Sequence, residues 1–168
     1  MKNLVSTALL LLSMASVGFA AEQAGKPARP AIYDRSADGA KQIEEALKTA
    51  KAQNKHVLLQ FGANWCGWCH RLHGLFKENA EIAKTLKENY VVVLIDVDQV
   101  VGKPHNANVD QRYGKPTRFG LPVLVVLDSD GKQLTTQDTG KIEEGDHHDP
   151  KKVLAFLEQW KPKGEGKI

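Results

Sequence analysis

Cysteine is scarce in this chain of 168 residues, which holds two, Cys66 and Cys69. Two cysteines cannot build a framework of several structural disulfides. The sequence also lacks a run of Lys and Arg long enough to form a phosphate-binding stripe, although its formal net charge is +3, so we expect no nucleic-acid partner. Hydrophobic residues make up 42% and charged residues 26%. That composition is typical of a single globular domain.

The N-terminal residues have the pattern of a secretory signal peptide. Lys2 precedes an apolar run over 4–12, and the small residues Gly18 and Ala20 stand three and one positions before a possible cleavage site. A membrane anchor is the alternative, but Ser and Thr interrupt the run, which is barely of spanning length. We therefore predict a signal peptide over residues 1–20 and a periplasmic protein whose two cysteines meet an oxidising environment.

Periodicity along the rest of the chain predicts an α/β fold, with a central mixed β-sheet flanked by α-helices. An extended tail over 21–35 carries Pro27 and Pro30. The domain itself is expected over 36–161, followed by a C-terminal tail over 162–168. The first strand, the helix after the cysteines and the next strand form a βαβ unit, so those strands should be parallel. Near the C-terminus, Asp149 and Pro150 are the expected cap and first residue of the last helix.

The remaining elements follow from apolar spacing and turn residues. Apolar residues at helical spacing predict a helix capped by Ser36 or Asp38 and one further helix through Leu86. Residues 99–119 are expected to form a loop with one short helix. The turn at 128–131, with Gly131 suited to a positive φ, predicts an antiparallel hairpin. The expected strands are residues 56–63, 90–98, 122–128 and 132–138.

The two cysteines lie at the junction between a predicted strand and a predicted helix. Free N–H groups and the positive end of the helix dipole favour an anion at the first sulfur. We therefore expect Cys66 to have a lowered pKa and to attack, and Cys69, one turn into the helix, to resolve. Two intervening residues on a helical turn allow the sulfurs to form a small disulfide ring, as reversible dithiol chemistry requires.

The segment FGANWCGWC resembles the active-site segment of the thioredoxin superfamily. The later segment FGLPVLVVLDSDGK is similar to the one in which a cis-proline begins a strand, and the resemblance extends from about Lys41 to Trp160. It implies a thioredoxin-like fold and thiol-disulfide exchange, with Cys66 as nucleophile and Cys69 as resolving cysteine. It also implies that Pro122 is the cis-proline facing them. The substrate-contacting residues expected on this basis are Trp65, Gly67, Trp68, Leu121 and Pro122.

Three residues near the cysteines are expected to tune them. Gln60 stands where thioredoxins have a buried acidic residue behind the resolving cysteine, and Leu94 replaces that residue's lysine partner. An amide cannot take a proton from Cys69. The base is then water or a histidine, such as His70 or His73, which titrate near neutral pH.

Two other chemistries fit the same residues. Cys66 to His70 match the C-x-x-C-H pattern of c-type haem attachment, but strand-like runs surround the motif, and methionine, a common axial ligand, occurs only at positions 1 and 14. Zinc or copper binding through Cys66, Cys69 and His73 is the second alternative, with His147 and His148 as further ligands. We favour the redox interpretation, with no metal or organic cofactor.

The expected partners of such a protein are protein thiols or disulfides. No nucleotide-binding motif was found, so electrons are expected to pass to or from a membrane-embedded redox partner. The motif leaves the direction, reductase or oxidase, open. We expect the protein to act as a monomer.

Overall fold

The structure is a computed structural model that describes residues 29–100 and 103–163. The predicted leader, the part of the predicted N-terminal tail before residue 29 and residues 164–168 of the predicted C-terminal tail lie outside the described residues. Within the described ranges, no helix is both long and apolar enough to cross a membrane.

A four-stranded mixed sheet forms the centre of the molecule. In spatial order its strands are β2 (Tyr90–Asp96), β1 (His56–Gly62), β5 (Val123–Leu127) and β6 (Gln133–Asp138). β1 pairs with β2 in parallel, as the βαβ pattern predicts, and with β5 in antiparallel. β5 and β6 form the predicted antiparallel hairpin, with Gly131 at a φ of 86° in the connecting turn.

Helices cover both faces of this sheet, so the mixed-sheet fold class is confirmed. On one face lie α1 (Gly39–Gln53), capped by Asp38, and α4 (Ala107–Arg112). The other face carries α2 (Gly67–Glu78), α3 (Ala80–Asn89) and α5 (Pro150–Trp160). Alternation along β1 places Leu58, Gln60 and Gly62 on one side of the strand. Leu58 packs in the core that contains α2, so Gln60 and Gly62 face the helix that begins at the cysteines.

The prediction of a single helix after the cysteines is wrong, because the structure has two helices, α2 and α3, that meet at Asn79. The Asn79 backbone N–H donates to the Leu75 carbonyl at the end of α2. Its side-chain oxygen accepts hydrogen bonds from the backbone N–H groups of Glu81 and Ile82 at the start of α3. The apolar spacing continues across the break and hides it, although Asn is a favoured cap residue.

The segment after β2 contains the short helix that was expected, α4, and two small additions. β3 (Gln99–Val100) and β4 (Lys103–Pro104) form a two-residue ladder, and Pro116–Phe119 form a 3-10 turn. The charged stretch over 141–149 predicts a solvated loop. Instead, β7 (Glu143–Glu144) pairs with β8 (His147–His148), and His148 is buried at 3% exposure, so the prediction is wrong for this residue.

Candidate active site

The two cysteines are joined by a disulfide at the start of α2. Cys66 is the N-cap of the helix, and its Sγ accepts a hydrogen bond from the Cys69 backbone N–H at 3.1 Å. Cys66 keeps 5% of its surface exposed, whereas Cys69 is fully buried. The geometry therefore gives the first sulfur the stabilisation that a helix N-terminus offers an anion and hides the second one.

The two tryptophans next to the cysteines have different environments. Trp65 is 68% exposed, and its Nε1–H donates to Asp98 at 2.9 Å. Trp68 is partly buried. The Arg71 guanidinium lies 4.7 Å from its ring centroid, and the His148 ring packs against it in a T-shaped arrangement with 5.2 Å between the ring centroids. Trp65 thus presents an open aromatic surface beside the disulfide, and Trp68 is held in place by its neighbours.

The loop before β5 borders the disulfide. The peptide bond between Leu121 and Pro122 is cis. Leu121 packs against the buried cluster that contains both cysteines. The Pro122 carbonyl accepts a hydrogen bond from the Thr139 hydroxyl, which ties this loop to the residues after β6.

Gln60 lies directly behind Cys69 and is completely buried. Its side-chain Nε2 donates to the Tyr33 hydroxyl at 2.7 Å and to the Cys69 carbonyl at 3.4 Å. Its Oε1 is buried with no hydrogen-bond partner among the described residues. The amide therefore interacts with the backbone of Cys69 and with a tyrosine, and supplies no ionisable group.

Tyr33 is a site residue that the sequence analysis missed. It falls in the segment assigned to an extended tail, yet it is 3% exposed and belongs to the buried cluster with Cys66 and Cys69. The Asn64 side chain holds this segment, since its Oδ1 accepts from the N–H groups of Ile32 and Tyr33 and its Nδ2 donates to the Tyr33 carbonyl. The one available signal was a lone tyrosine in an otherwise polar, proline-containing stretch.

The two histidines expected to tune the cysteines lie on α2. His70 Nε2 is 2.8 Å from the Asn64 carbonyl oxygen, which fixes that nitrogen as a donor. Desolvation, helped by the nearby Lys77, lowers the pKa of His73. No hydrogen bond between either ring and a cysteine is found among the described residues, and the tuning role of these histidines stays a prediction.

The residues of the metal-binding alternative do not form one cluster. Within residues 29–100 and 103–163, no group of three or more His, Cys, Asp or Glu side chains could hold a metal ion. His148 packs on Trp68, and its Nε2 lies 3.3 Å from the Trp68 carbonyl, while His147 is exposed beside Asp146. Burial lowers the pKa of His148. Asp149 caps α5 as expected.

The sheet order, the helix that starts at the cysteine pair and the loop facing it together define a thioredoxin-like protein. A family model described as thioredoxin-like matches residues 38–129, more than half of the chain. The chain belongs to this family.

Known proteins similar to this chain carry names from disulfide chemistry. A disulphide isomerase from Xylella fastidiosa Temecula1 has a solved structure with a TM-score of 0.68, 32% sequence identity, and coverage of 79% of this chain and 98% of its own. Disulfide bond reductase DsbH of Chlamydia pneumoniae is 31% identical over 96 residues, which are 54% of this chain and 56% of the relative.

Other curated relatives match over a shorter share of their own length. Thiol:disulfide interchange protein DsbD of Colwellia psychrerythraea is 33% identical over 98 residues, 58% of this chain and 15% of the relative. Spermatogenesis-associated protein 20 of Mus musculus is 36% identical over 56 residues, 33% of this chain and only 7% of the relative. The chain thus spans a small part of these longer proteins.

Proposed function

We propose that this protein is a thiol-disulfide oxidoreductase that exchanges disulfides with protein substrates through Cys66 and Cys69. The observation that carries the proposal is the position of the Cys66 sulfur at the N-cap of α2, where it accepts the Cys69 backbone N–H. A sulfur so placed is stabilised as a thiolate once the disulfide is reduced. The relatives named for disulfide reduction, interchange and isomerisation support the same chemistry.

In the reductive direction, the Cys66 thiolate attacks one sulfur of a substrate disulfide. A bond forms between Cys66 and that sulfur, and the other substrate sulfur leaves as a thiolate. Cys69 then attacks the Cys66 sulfur, which restores the disulfide and releases the second substrate thiolate. The cysteine pair loses two electrons and the substrate disulfide gains them; the oxidative direction is the reverse.

Substrate polypeptide is proposed to dock beside Cys66. Trp65 offers an exposed ring, and Leu121 borders the cysteine cluster at the start of β5. In our proposal, the backbone of Leu121 makes strand-like hydrogen bonds to an extended substrate, with Gly67 and Pro122 flanking the reacting sulfurs. Trp68 supports this surface from within, because Arg71 and His148 pack on its ring.

The compartment and the electron source belong to the same proposal. The signal-peptide pattern over residues 1–20 supports export to the periplasm. Exchange there needs a partner that resets the cysteine pair, and we propose a membrane-embedded redox protein for this role: a thiol conduit if the pair works as a reductase, a quinone-linked oxidase if it works as an oxidant. The equilibrium reduction potential against glutathione decides between them.

The two cysteines provide the test of this function. Cys66→Ser is expected to abolish exchange with a disulfide-bonded protein substrate, because the nucleophile is lost. Cys69→Ser is expected to accumulate covalent mixed disulfides with the substrate, visible by non-reducing electrophoresis, because nothing resolves them. The proposed roles are wrong if iodoacetamide labels Cys69 of the reduced protein faster than Cys66 at about pH 6. A purified protein with a haem absorbance spectrum would instead favour the cytochrome alternative.

A further inference from the structure

The Tyr33 hydroxyl and the Cys69 sulfur both lie next to the position that a side chain at Gly62 would occupy. A Cβ atom at position 62 would overlap the Tyr33 hydroxyl and lie 2.7 Å from Cys69 Sγ. Only glycine lets these two groups approach the strand at this point. The hydroxyl oxygen and the buried sulfur therefore border the same small space beside β1.

The hydrogen bonds around Tyr33 leave its proton free for another acceptor. Gln60 Nε2 is a donor, so the Tyr33 oxygen accepts in the 2.7 Å bond between them. Among the described residues, the Tyr33 hydroxyl donates no hydrogen bond in the disulfide form, and the Cys69 sulfur borders the same space. A phenol O–H that already accepts one hydrogen bond is a stronger donor in its own right, because hydrogen bonds in a chain polarise one another.

The ionisation of Tyr33 suits a donor and not a base. Burial raises the pKa of the Tyr33 phenol far above its ordinary value, and the negative charge of Asp96 acts in the same direction. The hydroxyl therefore keeps its proton at any pH at which the protein works. It cannot accept the proton of Cys69, but it can donate a hydrogen bond to the sulfur after that proton has left.

Resting on the exchange cycle proposed above, we propose that Tyr33 donates a hydrogen bond to the Cys69 thiolate and thereby favours its ionised form during resolution of the mixed disulfide. In that step, the Cys69 thiol first loses its proton to water. The thiolate attacks Cys66 Sγ, a bond forms between the two cysteine sulfurs, and the bond from Cys66 to the substrate sulfur breaks. The substrate leaves as a thiolate and takes a proton from water, while Tyr33 keeps its own.

Cys69 lies in a buried cluster of largely apolar side chains, and desolvation there disfavours a thiolate. The buried carboxylate of Asp96, which pairs with Gly62 in the sheet, lies 2.9 Å from His105 Nδ1 and has no hydrogen to donate to a sulfur when ionised. A hydrogen bond to the charged form offsets that penalty. The groups packed around Cys69 are Tyr33, with Asp96 acting on it, Cys66, the uncharged Gln60, and the apolar Ile32, Trp68, Leu94 and Leu121.

The pKa of Cys69 can be measured without any substrate. In a Cys66→Ser background, Cys69 is the sole thiol of the chain, and its ionisation is followed by the ultraviolet absorbance of the thiolate. Adding Tyr33→Phe is expected to raise the Cys69 pKa by about one unit, roughly a tenfold loss of thiolate near neutral pH. The matched control is Tyr113→Phe, which removes another buried hydroxyl, one without a partner among the described residues, from the core of the opposite sheet face.

The same substitution is then tested in the protein with both cysteines. The decay of a preformed mixed disulfide on Cys66, followed by stopped flow from about pH 5 to 9, is expected to be about tenfold slower near neutral pH in Tyr33→Phe. Its pH profile should move to higher pH by the same unit. A residue that only anchors the N-terminal segment would leave this profile in place.

Tyr33→Phe also removes the acceptor of Gln60 Nε2, so a second pair of variants isolates the hydroxyl. Gln60→Leu and Tyr33→Phe/Gln60→Leu differ only by that oxygen, and replacing both polar partners by apolar groups limits the folding penalty. The Cys69 pKa is expected to be higher in the double variant. If Tyr33→Phe leaves the Cys69 pKa unchanged both with and without Gln60→Leu, while the unsubstituted protein exchanges disulfides normally, the inference about Tyr33 is wrong and the proposed function stands. A parent that exchanges none overturns the proposed function, whatever the titration gives.

Discussion

At the scale of single residues, the neighbouring Trp65 and Trp68 differ in exposure and in packing. Trp68 is packed between Arg71 and His148, whereas Trp65 is 68% exposed and has one polar contact, to Asp98. A large exposed ring beside a reactive sulfur contributes little to folding and offers area to a partner. We therefore assign substrate docking chiefly to Trp65 and a supporting role to Trp68.

Trp65→Ala separates docking from chemistry. The rate of exchange with a disulfide-bonded protein is expected to fall about tenfold, the typical effect of losing an aromatic anchor. Exchange with a small disulfide reagent should be unchanged, because the cysteine pair is intact. Stability should change by less than about 0.5 kcal/mol, as for most exposed substitutions. The control is Val92→Ala, at a residue of β2 that is 39% exposed. If Trp65→Ala slows exchange equally with the protein and with the small disulfide reagent, Trp65 acts on the reaction of the cysteines and not on docking.

Individual site residues differ in how well the sequence predicts them. The cysteines, Asp38 and Asp149 follow from local rules, because a cap or a helix start is set by a few neighbouring residues. Tyr33 does not, since its burial depends on Asn64, which is distant in sequence and fastens this segment through three hydrogen bonds. Gln60 is partly predictable, because alternation along β1 predicts the sheet face on which its side chain lies but not its hydrogen bond to Tyr33.

At the scale of elements, Asn79 determines the shape of the helical layer that carries the cysteines. It ends α2 with its backbone and begins α3 with its side chain. Ile82 and Leu86 of α3 are buried in the core shared with α2 and α5. The backbone of Asn79 is extended, with φ −85° and ψ 115°, so two separate helices, and not one continuous helix, pack in this core.

Asn79→Ala tests the importance of this shared cap. Loss of the side-chain acceptor for the Glu81 and Ile82 N–H groups is expected to lower the free energy of unfolding by about 1 kcal/mol. The measurement is urea denaturation, with the midpoint moving and the slope unchanged. Lys84→Ala, on the exposed side of α3, should have little effect. Equal stability of the two variants would mean that α3 does not depend on its cap.

At the scale of the whole molecule, the four strands of the central sheet and the helices, apart from the break between α2 and α3, were predictable from periodic apolar spacing and bounding turn residues. β1, β2 and β5 are apolar runs, and the βαβ rule fixes the relation of the first two. The two-residue ladders were not predictable. β7 and β8 consist of two glutamates and two histidines, a pattern that does not predict a strand, and the buried His148 packs on Trp68, a tertiary contact with no local signature.

Two histidines connect the pH of the solution to the stability of the whole fold. Desolvation is the main cause that lowers the pKa of both His73 and His148. At His73, the nearby Lys77 and His70 lower the pKa further. At His148, Arg71 and His147 have the same effect. The Trp68 carbonyl opposes the shift at His148. When the folded-state pKa lies below the unfolded value of about 6.5, the unfolded chain binds more protons. Stability is therefore expected to decrease as the pH falls through that value.

Urea midpoints of the oxidised protein at about pH 7.5 and pH 5.5 check this expectation. The parent should be less stable at the lower pH, and His148→Phe, which keeps a ring against Trp68 but cannot titrate, should reduce that loss. His73→Gln should reduce it further in the double variant, while the exposed His147→Gln serves as control. Glu143 acts in the opposite direction, because burial raises its pKa and the folded state then holds its proton more tightly. A parent whose midpoint stays constant or rises between the two pH values would show that the buried histidines do not govern its acid stability.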